Sequence, residues 1–191
     1  FDISPLNELH FSGVFNDTMY FENNTLYAAE GRIFVLKMDV SGNDIMYAQF
    51  GNYMPGVLQD AYAIATDEKG CTYVSGRFHV TGVFGLDTLT TKPMFTELYL
   101  TKISASGQCL WVSHVTGISN GTGGVADAIE GFSLDWDNNE HIYLVGYYNS
   151  DVYFEDSTLI HSLPKTSWSG YLAKYDTAGT FKWVQHADQC Y

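Results

Sequence analysis

Asp135, Asp137 and Asn139 set oxygen-bearing side chains at alternate positions of the stretch DWDNNEHIYLVGYY, residues 135–148. Calcium favours such a stretch, because it takes about six to eight hard oxygen ligands. The helix-loop-helix calcium pattern also wants Gly at its sixth position and Glu at its twelfth, where this stretch has Glu140 and Gly146. Asp and Asn equally close turns, by accepting hydrogen bonds from nearby backbone amides and tolerating positive φ. The stretch therefore reads as a hairpin corner, with calcium held by those three residues as the alternative.

Three lysines, Lys37, Lys102 and Lys174, recur within similar segments. On a strand each shares a face with Val35, Leu100 or Leu172, so its stem is expected over apolar surface with the ammonium at an edge or paired to an acid. Asp60 and Asp127 are the expected acids, and a ligand-binding role for the lysines is the alternative. The histidines, at 10, 79, 114, 141, 161 and 186, form neither HxH nor HExxH, and no G-x-S-x-G is present. A pair of carboxylates facing each other across a cleft would suit glycoside hydrolysis, but sequence spacing cannot bring them together. No catalytic, cofactor-binding or metal residue is assigned. Cys71, Cys109 and Cys190 have no zinc-ligand spacing, and their odd number argues against a self-contained disulfide framework. The run GISNGTGG, 117–124, lacks the Lys of a phosphate loop and reads as a connection. Sequons stand at Asn16, Asn23 and Asn120.

The elements that must position these residues are strands. Of 191 residues, 46% are hydrophobic, enough for a substantial core, and 14 Tyr, 12 Phe and 4 Trp suit pleated, half-buried surfaces. A net charge of −13 repels phosphate backbones and anionic bilayers, which disfavours nucleic acid as a partner. No apolar run approaches the ~20 residues of a membrane helix, so no membrane insertion is expected. The chain opens FDISPLNELHF without the basic-then-apolar profile of a signal peptide, so any targeting segment is expected to have been removed or to lie elsewhere.

Comparison of the chain with itself shows three copies of one unit. SGVF at 12–15 returns as SGRF at 75–78 and VGYY at 145–148, and YFENNTL at 20–26 returns as VFGLDTL at 83–89 and YFEDSTL at 153–159. Gly13, Gly76 and Gly146 are separated by 63 and 70 residues, as are Leu26, Leu89 and Leu159. FVLKMDVSGNDIMYA (34–48), YLTKISASGQCLWVS (99–113) and YLAKYDTAGTFKWVQ (171–185) align without a gap, with Lys fourth, Gly ninth and an aromatic at the thirteenth or fourteenth place. The middle copy predicts four strands, near 61–66, 71–78, 98–104 and 108–115, joined by two short hairpins and one longer excursion.

Four antiparallel strands at a fixed period are the pattern of a β-propeller blade, so the expected fold is all-β. The expected units are 1–56, whose first strand is missing, 57–123 and 124–191, giving eleven strands and about three blades. Propellers close with ~4 to 8 blades, so the chain is expected to be part of a larger propeller.

DAYAIATDEKGCTYVSGRF (60–78), GLDTLTTKP (85–93) and YLTKISASGQCLWVS (99–113) resemble the repeats of a seven-bladed β-propeller family of large secreted and surface proteins of Bacteroidetes-type bacteria. The third copy departs from that pattern at DWDNNEHIYLVGYY, which puts a uniform turn in question. The resemblance implies export, by analogy through the type 9 secretion route, and a secreted or cell-surface location, with no shared catalytic residues. Asp-Thr and Asp-Ser steps at Asp17, Asp87, Asp156 and Asp176 resemble O-glycosylation acceptors of such proteins, and turn chemistry explains them about as well. The expected role is a non-catalytic scaffold or recognition surface for a protein or glycan ligand, its exposed Tyr and Trp serving as anchors. Alternatives are a polysaccharide-acting enzyme with carboxylates at the channel, and passive cargo or stalk.

Overall fold

The computed structural model describes residues 1–21, 24–50, 59–91, 96–118, 129–155, 158–161 and 168–190. The protein is all-β: strands dominate the described residues, and no helix occurs among them. β1 (Asp2–Ile3), β2 (Leu9–Phe21), β3 (Asn24–Met38) and β4 (Asp44–Phe50) form the first antiparallel sheet in that order. β5 (Asp60–Thr66) and β6 (Thr72–His79) precede a small hairpin, β7 (Thr81–Phe84) with β8 (Asp87–Thr90). β9 (Thr96–Ile103) and β10 (Cys109–Ile118) complete the second sheet, ordered β5-β6-β9-β10. β11 (Ile129–Trp136), β12 (His141–Tyr148), β15 (Trp168–Asp176) and β16 (Phe181–Cys190) make the third. Between β12 and β15 lies the hairpin of β13 (Asp151–Phe154) and β14 (Thr158–Ile160), which joins the second sheet by pairing with β10.

Among the described residues sixteen strands thus stand where eleven were expected of the chain. The first copy has a first strand, although only two residues of it, Asp2 and Ile3, paired with His10 and Leu9. The excursions of the second and third copies, expected as loops, contribute the other four. The expected unit boundaries at 56/57 and 123/124 lie outside the described residues.

The three sheets stack side by side, with one apolar core in each joint. Ile33, Val35, Met46 and Phe50 of the first sheet meet Val74, Phe78 and Tyr99 of the second. Tyr73, Leu98 and Leu100 of the second meet Ile142, Leu144, Tyr171 and Ala173 of the third. Burial follows from this order. β9 is buried at almost every position because the middle sheet is covered on both faces, whereas β15 alternates buried and half-buried residues.

Gly13, Gly76 and Gly146 occupy matching places, opposite Phe34, Tyr99 and Tyr171 in the second-to-third strand ladders. The short hairpins repeat too. In five of the six, the first residue bonds its amide to the fifth residue's carbonyl and accepts the fourth residue's amide, as in Asp39–Asn43 and Asp176–Thr180. That fourth residue has φ of 61° at Asn7 and 71–89° at Gly42, Gly70, Gly107 and Gly179, a left-handed conformation that glycine adopts without strain. Among the described residues no sheet closes on itself.

Candidate functional site

The site begins with two irregularities. The β5–β6 ladder shifts register between Ala61 and Ala63, and the β11–β12 ladder between Gly131 and Ser133. Each shift makes the residue between, Tyr62 or Phe132, a bulge, which re-aims its side chain away from the regular alternation. The two rings stack with centroids 5.8 Å apart across the joint between the second and third sheets. Phe132 packs at 4.5 Å on Tyr147 of β12, and Tyr147 at 4.5 Å edge-on against Trp168 of β15. Four aromatic rings therefore run in file over two sheets, with Phe132 42% and Trp168 37% exposed.

Charge lies beneath the file. The Arg77 guanidinium on β6 donates to Asp60 Oδ2 at 2.7 Å and to Glu130 Oε1 at 2.9 Å, joining acids of neighbouring sheets, and lies 5.3 Å from the Tyr62 ring centre. Tyr62 donates to Asp60 at 2.9 Å and Tyr147 to Glu130 at 3.2 Å. Burial works against the Arg77 charge, but the bond to Asp60 and the surrounding acids outweigh it and raise its pKa. Burial, then the bond to Asp60, pushes the Tyr62 phenol far above its ordinary value, so it stays a donor. Both carboxylates serve as acceptors. The arrangement offers flat apolar rings bordered by a neutralised cation and one excess negative charge, a surface for stacking.

The sequence matches no protein-family model and no curated relative.

The residues singled out from sequence are dispersed. Lys37 pairs with Glu8 at 3.1 Å and Lys102 with Asp67 at 3.3 Å, while Lys102 and Lys174 lie 4.8 and 5.0 Å from the ring centres of Tyr73 and Tyr143. The expected partner Asp60 turns to Arg77 instead, because the lysines sit at the opposite end of the ladder, beside the hairpin acids; Asp127 lies outside the described residues. Asp67 is held below the ordinary carboxylate range: burial opposes this, but bonds from the Cys71 amide and Tyr73 hydroxyl and the charge of Lys102 prevail.

Asp137 is a turn residue. Its Oδ1 accepts the amides of Asn139 and His141, and its Oδ2 meets the His141 ring at 2.9 Å and the Tyr143 hydroxyl at 3.3 Å. Asp135 accepts the Trp136 amide. This hairpin is the one that departs from the other five, with Asn138 and Glu140 both left-handed and the Thr177 amide bonded to Glu140. No group of three or more His, Cys, Asp or Glu placed to hold a metal occurs among the described residues. His141 and His161 pair with Asp137 and Asp151, His186 meets the Tyr148 hydroxyl at 3.2 Å, and His10 is buried. Cys71 and Cys109 are free thiols whose pKa burial raises, and the side chain of Cys190 lies outside the described residues, as do Asn23, Asn120, Asp156 and most of 117–124.

Sequence reasoning missed Arg77, Tyr62, Glu130, Phe132 and Trp168 as a group. A signal was present: at the 70-residue offset, Asp60 falls on Glu130, Tyr62 on Phe132 and Arg77 on Tyr147. The bulges that gather them depend on cross-strand register, which a single strand does not reveal.

Proposed function

We propose that the protein is a non-catalytic recognition module of the β-propeller type, its three sheets being blades of a ring that further blades complete, and that the file Tyr62-Phe132-Tyr147-Trp168 is its contact face for a glycan. The observation that carries the reading is this half-exposed file, laid across a joint between two sheets. Sugar rings stack on such surfaces, and aromatics dominate binding hot spots. Export through the type 9 route and a secreted or cell-surface location rest on the resemblance of the repeats. The excess negative charge beside the file favours a neutral glycan over an acidic one.

A polysaccharide-cleaving enzyme would need one carboxyl holding a proton opposite a second carboxylate. Asp60 and Glu130 instead share one guanidinium, which favours binding without turnover. The test is a screen of neutral oligosaccharides, followed by titration calorimetry on the best binder. Trp168→Ala and Phe132→Ala should each weaken binding roughly tenfold or more, while Leu86→Ala, at a fully exposed position, leaves it unchanged. Cleavage products abolished by Glu130→Gln would establish the enzyme, and binding unaffected by both aromatic changes would remove the file from the account.

A further inference from the structure

We propose that the joint between the first and second sheets carries a binding cleft for a small, neutral aromatic molecule. The reasoning compares the two joints and is independent of the glycan file, which lies in the other one. A cleft opens at the same place in both. In each it lies between the last strand of one sheet, the tip of the β7–β8 or β13–β14 hairpin, and the third-to-fourth-strand hairpin of the next sheet. Between the second and third sheets it measures about 380 Å³ and is lined by Trp111, Ser113, His114, Glu155 and Gly179 among others. Between the first and second it measures about 560 Å³, with Ala48, Gln49, Gly85 and Gly107 at the positions of Ser113, His114, Glu155 and Gly179.

What fills the smaller cleft is aromatic. Phe181 packs 5.5 Å from Phe154 and 5.6 Å from Tyr175, and the Trp111 ring lies against Gly179, its Nε1 donating to Thr177 across the joint. In the repeat register these rings are replaced: Met46 stands for Trp111, Ile103 for Tyr175 and Cys109 for Phe181. The opposite exchange, Phe50 for Val115, returns one ring and still leaves this cleft the larger. Ile103 and Cys109 line it, and Cys109 is only half-buried, its thiol 3.3 Å from Thr101 Oγ1. The first joint thus has open space where the second places rings. An aromatic guest restores the contacts that those rings make.

Charge selects among aromatic guests. None of the described residues lining the larger cleft is charged, whereas Glu155 and His114 line the smaller one. An ion entering the larger cleft loses its water and gains no opposite charge. Hydrogen bonds come from the exposed side-chain amides of Gln49 and Gln108, which suit a hydroxyl or a ring N–H. A cavity of this size, with apolar walls and a few polar groups, has the make-up of a small-molecule site.

Indole and an indole carboxylate are the probes, followed by titration calorimetry at neutral pH and by alkylation of Cys109 with iodoacetamide, read by peptide mapping. Indole should bind saturably and slow the alkylation about fivefold or more, while the carboxylate should bind about tenfold more weakly or less. Cys109→Phe, which installs the ring of the other joint, should weaken indole binding about tenfold or more. Should that variant fail to fold, protection of Cys109 in the unaltered chain decides. Absence of saturable indole binding overturns the proposal. So does binding that leaves Cys109 as reactive as before, equal affinity for the two probes, or undiminished affinity in a folded Cys109→Phe.

Discussion

Gly76 and Gly146 lack side chains because a carbonyl and a phenol already fill the space. A Cβ at either would run into the carbonyl of Asp60 or Glu130 and meet the hydroxyl of Tyr99 or Tyr171 at 2.7 Å. Those hydroxyls donate to the same carbonyls at 3.0 and 3.1 Å, next to the bulges that carry Tyr62 and Phe132. The first copy differs at this place: the aromatic opposite Gly13 is Phe34, which has no hydroxyl to donate. Gly76→Ala should accordingly cost about 3 kcal/mol, from overpacking against backbone plus a displaced hydrogen bond. Gly13→Ala meets only the Phe34 ring edge, at 2.9 Å, and should cost about 1 kcal/mol. Urea unfolding of both variants measures the difference, and equal losses would show that the glycine serves strand geometry alone. The recurrence of the glycines was legible from the sequence; their reason was not, because it involves a third strand and a bulge.

Among the elements, the hairpins were the most legible, since Gly at the fourth place of the turn and Asp or Ser at the first are local chemistry. Asp39, Asp67 and Asp176 each accept two amides within their own turn, and Ser104 accepts one. The fourth strands share an irregularity that the alignment does not show. Bulges at Ile45, Leu110 and Lys182 set Met46, Trp111 and Trp183 opposite the three lysines, and Tyr47, at the fourteenth place, follows one residue later. The excursion strands escaped notice because they are three or four residues long and, for β13, pair with a strand of another sheet. Turn glycines also differ by context. An added Cβ finds nothing within 4 Å at Gly42, but at Gly179 it strikes the Trp111 ring at 2.7 Å, the same ring whose Nε1 donates to Thr177 across the joint. Gly42→Ala should cost about 1 kcal/mol for its positive φ, and Gly179→Ala about 2–3 kcal/mol, because the joint must also open. Matching thermal midpoints for the two variants would refute a role for Trp111 in that joint.

At the scale of the molecule, a sheet covered on both faces differs from one covered on a single face, and the sequence carries that difference only faintly. Ser75, Thr101 and Lys102 are all buried in the middle sheet, where polarity alone would have set them outward. Polar contacts accompany the apolar core in each joint. Between the first and second sheets, Thr66 donates to Asp2 at 2.6 Å, and His10, fully buried, shares a 2.7 Å hydrogen bond between its Nδ1 and Thr72 Oγ1. Burial and the neighbouring Lys37 hold the His10 pKa below its ordinary 6.5, although Glu8, 3.6 Å from its Nε2, and Asp2 pull the other way. The native protein therefore keeps this imidazole neutral while the unfolded chain takes up a proton as pH falls through 6.5. In that range the unfolded state binds more protons, so the contribution of His10 to stability is complete above 6.5 and is lost as pH falls through its depressed native value. The urea midpoint should decline from pH 7.5 towards 5. His10→Gln should lower the midpoint at pH 7.5, through the disturbed bond to Thr72, yet flatten the decline below 6.5, because Gln has no proton to gain. A slope as steep in the variant as in the wild type would place the acid sensitivity elsewhere than in this joint.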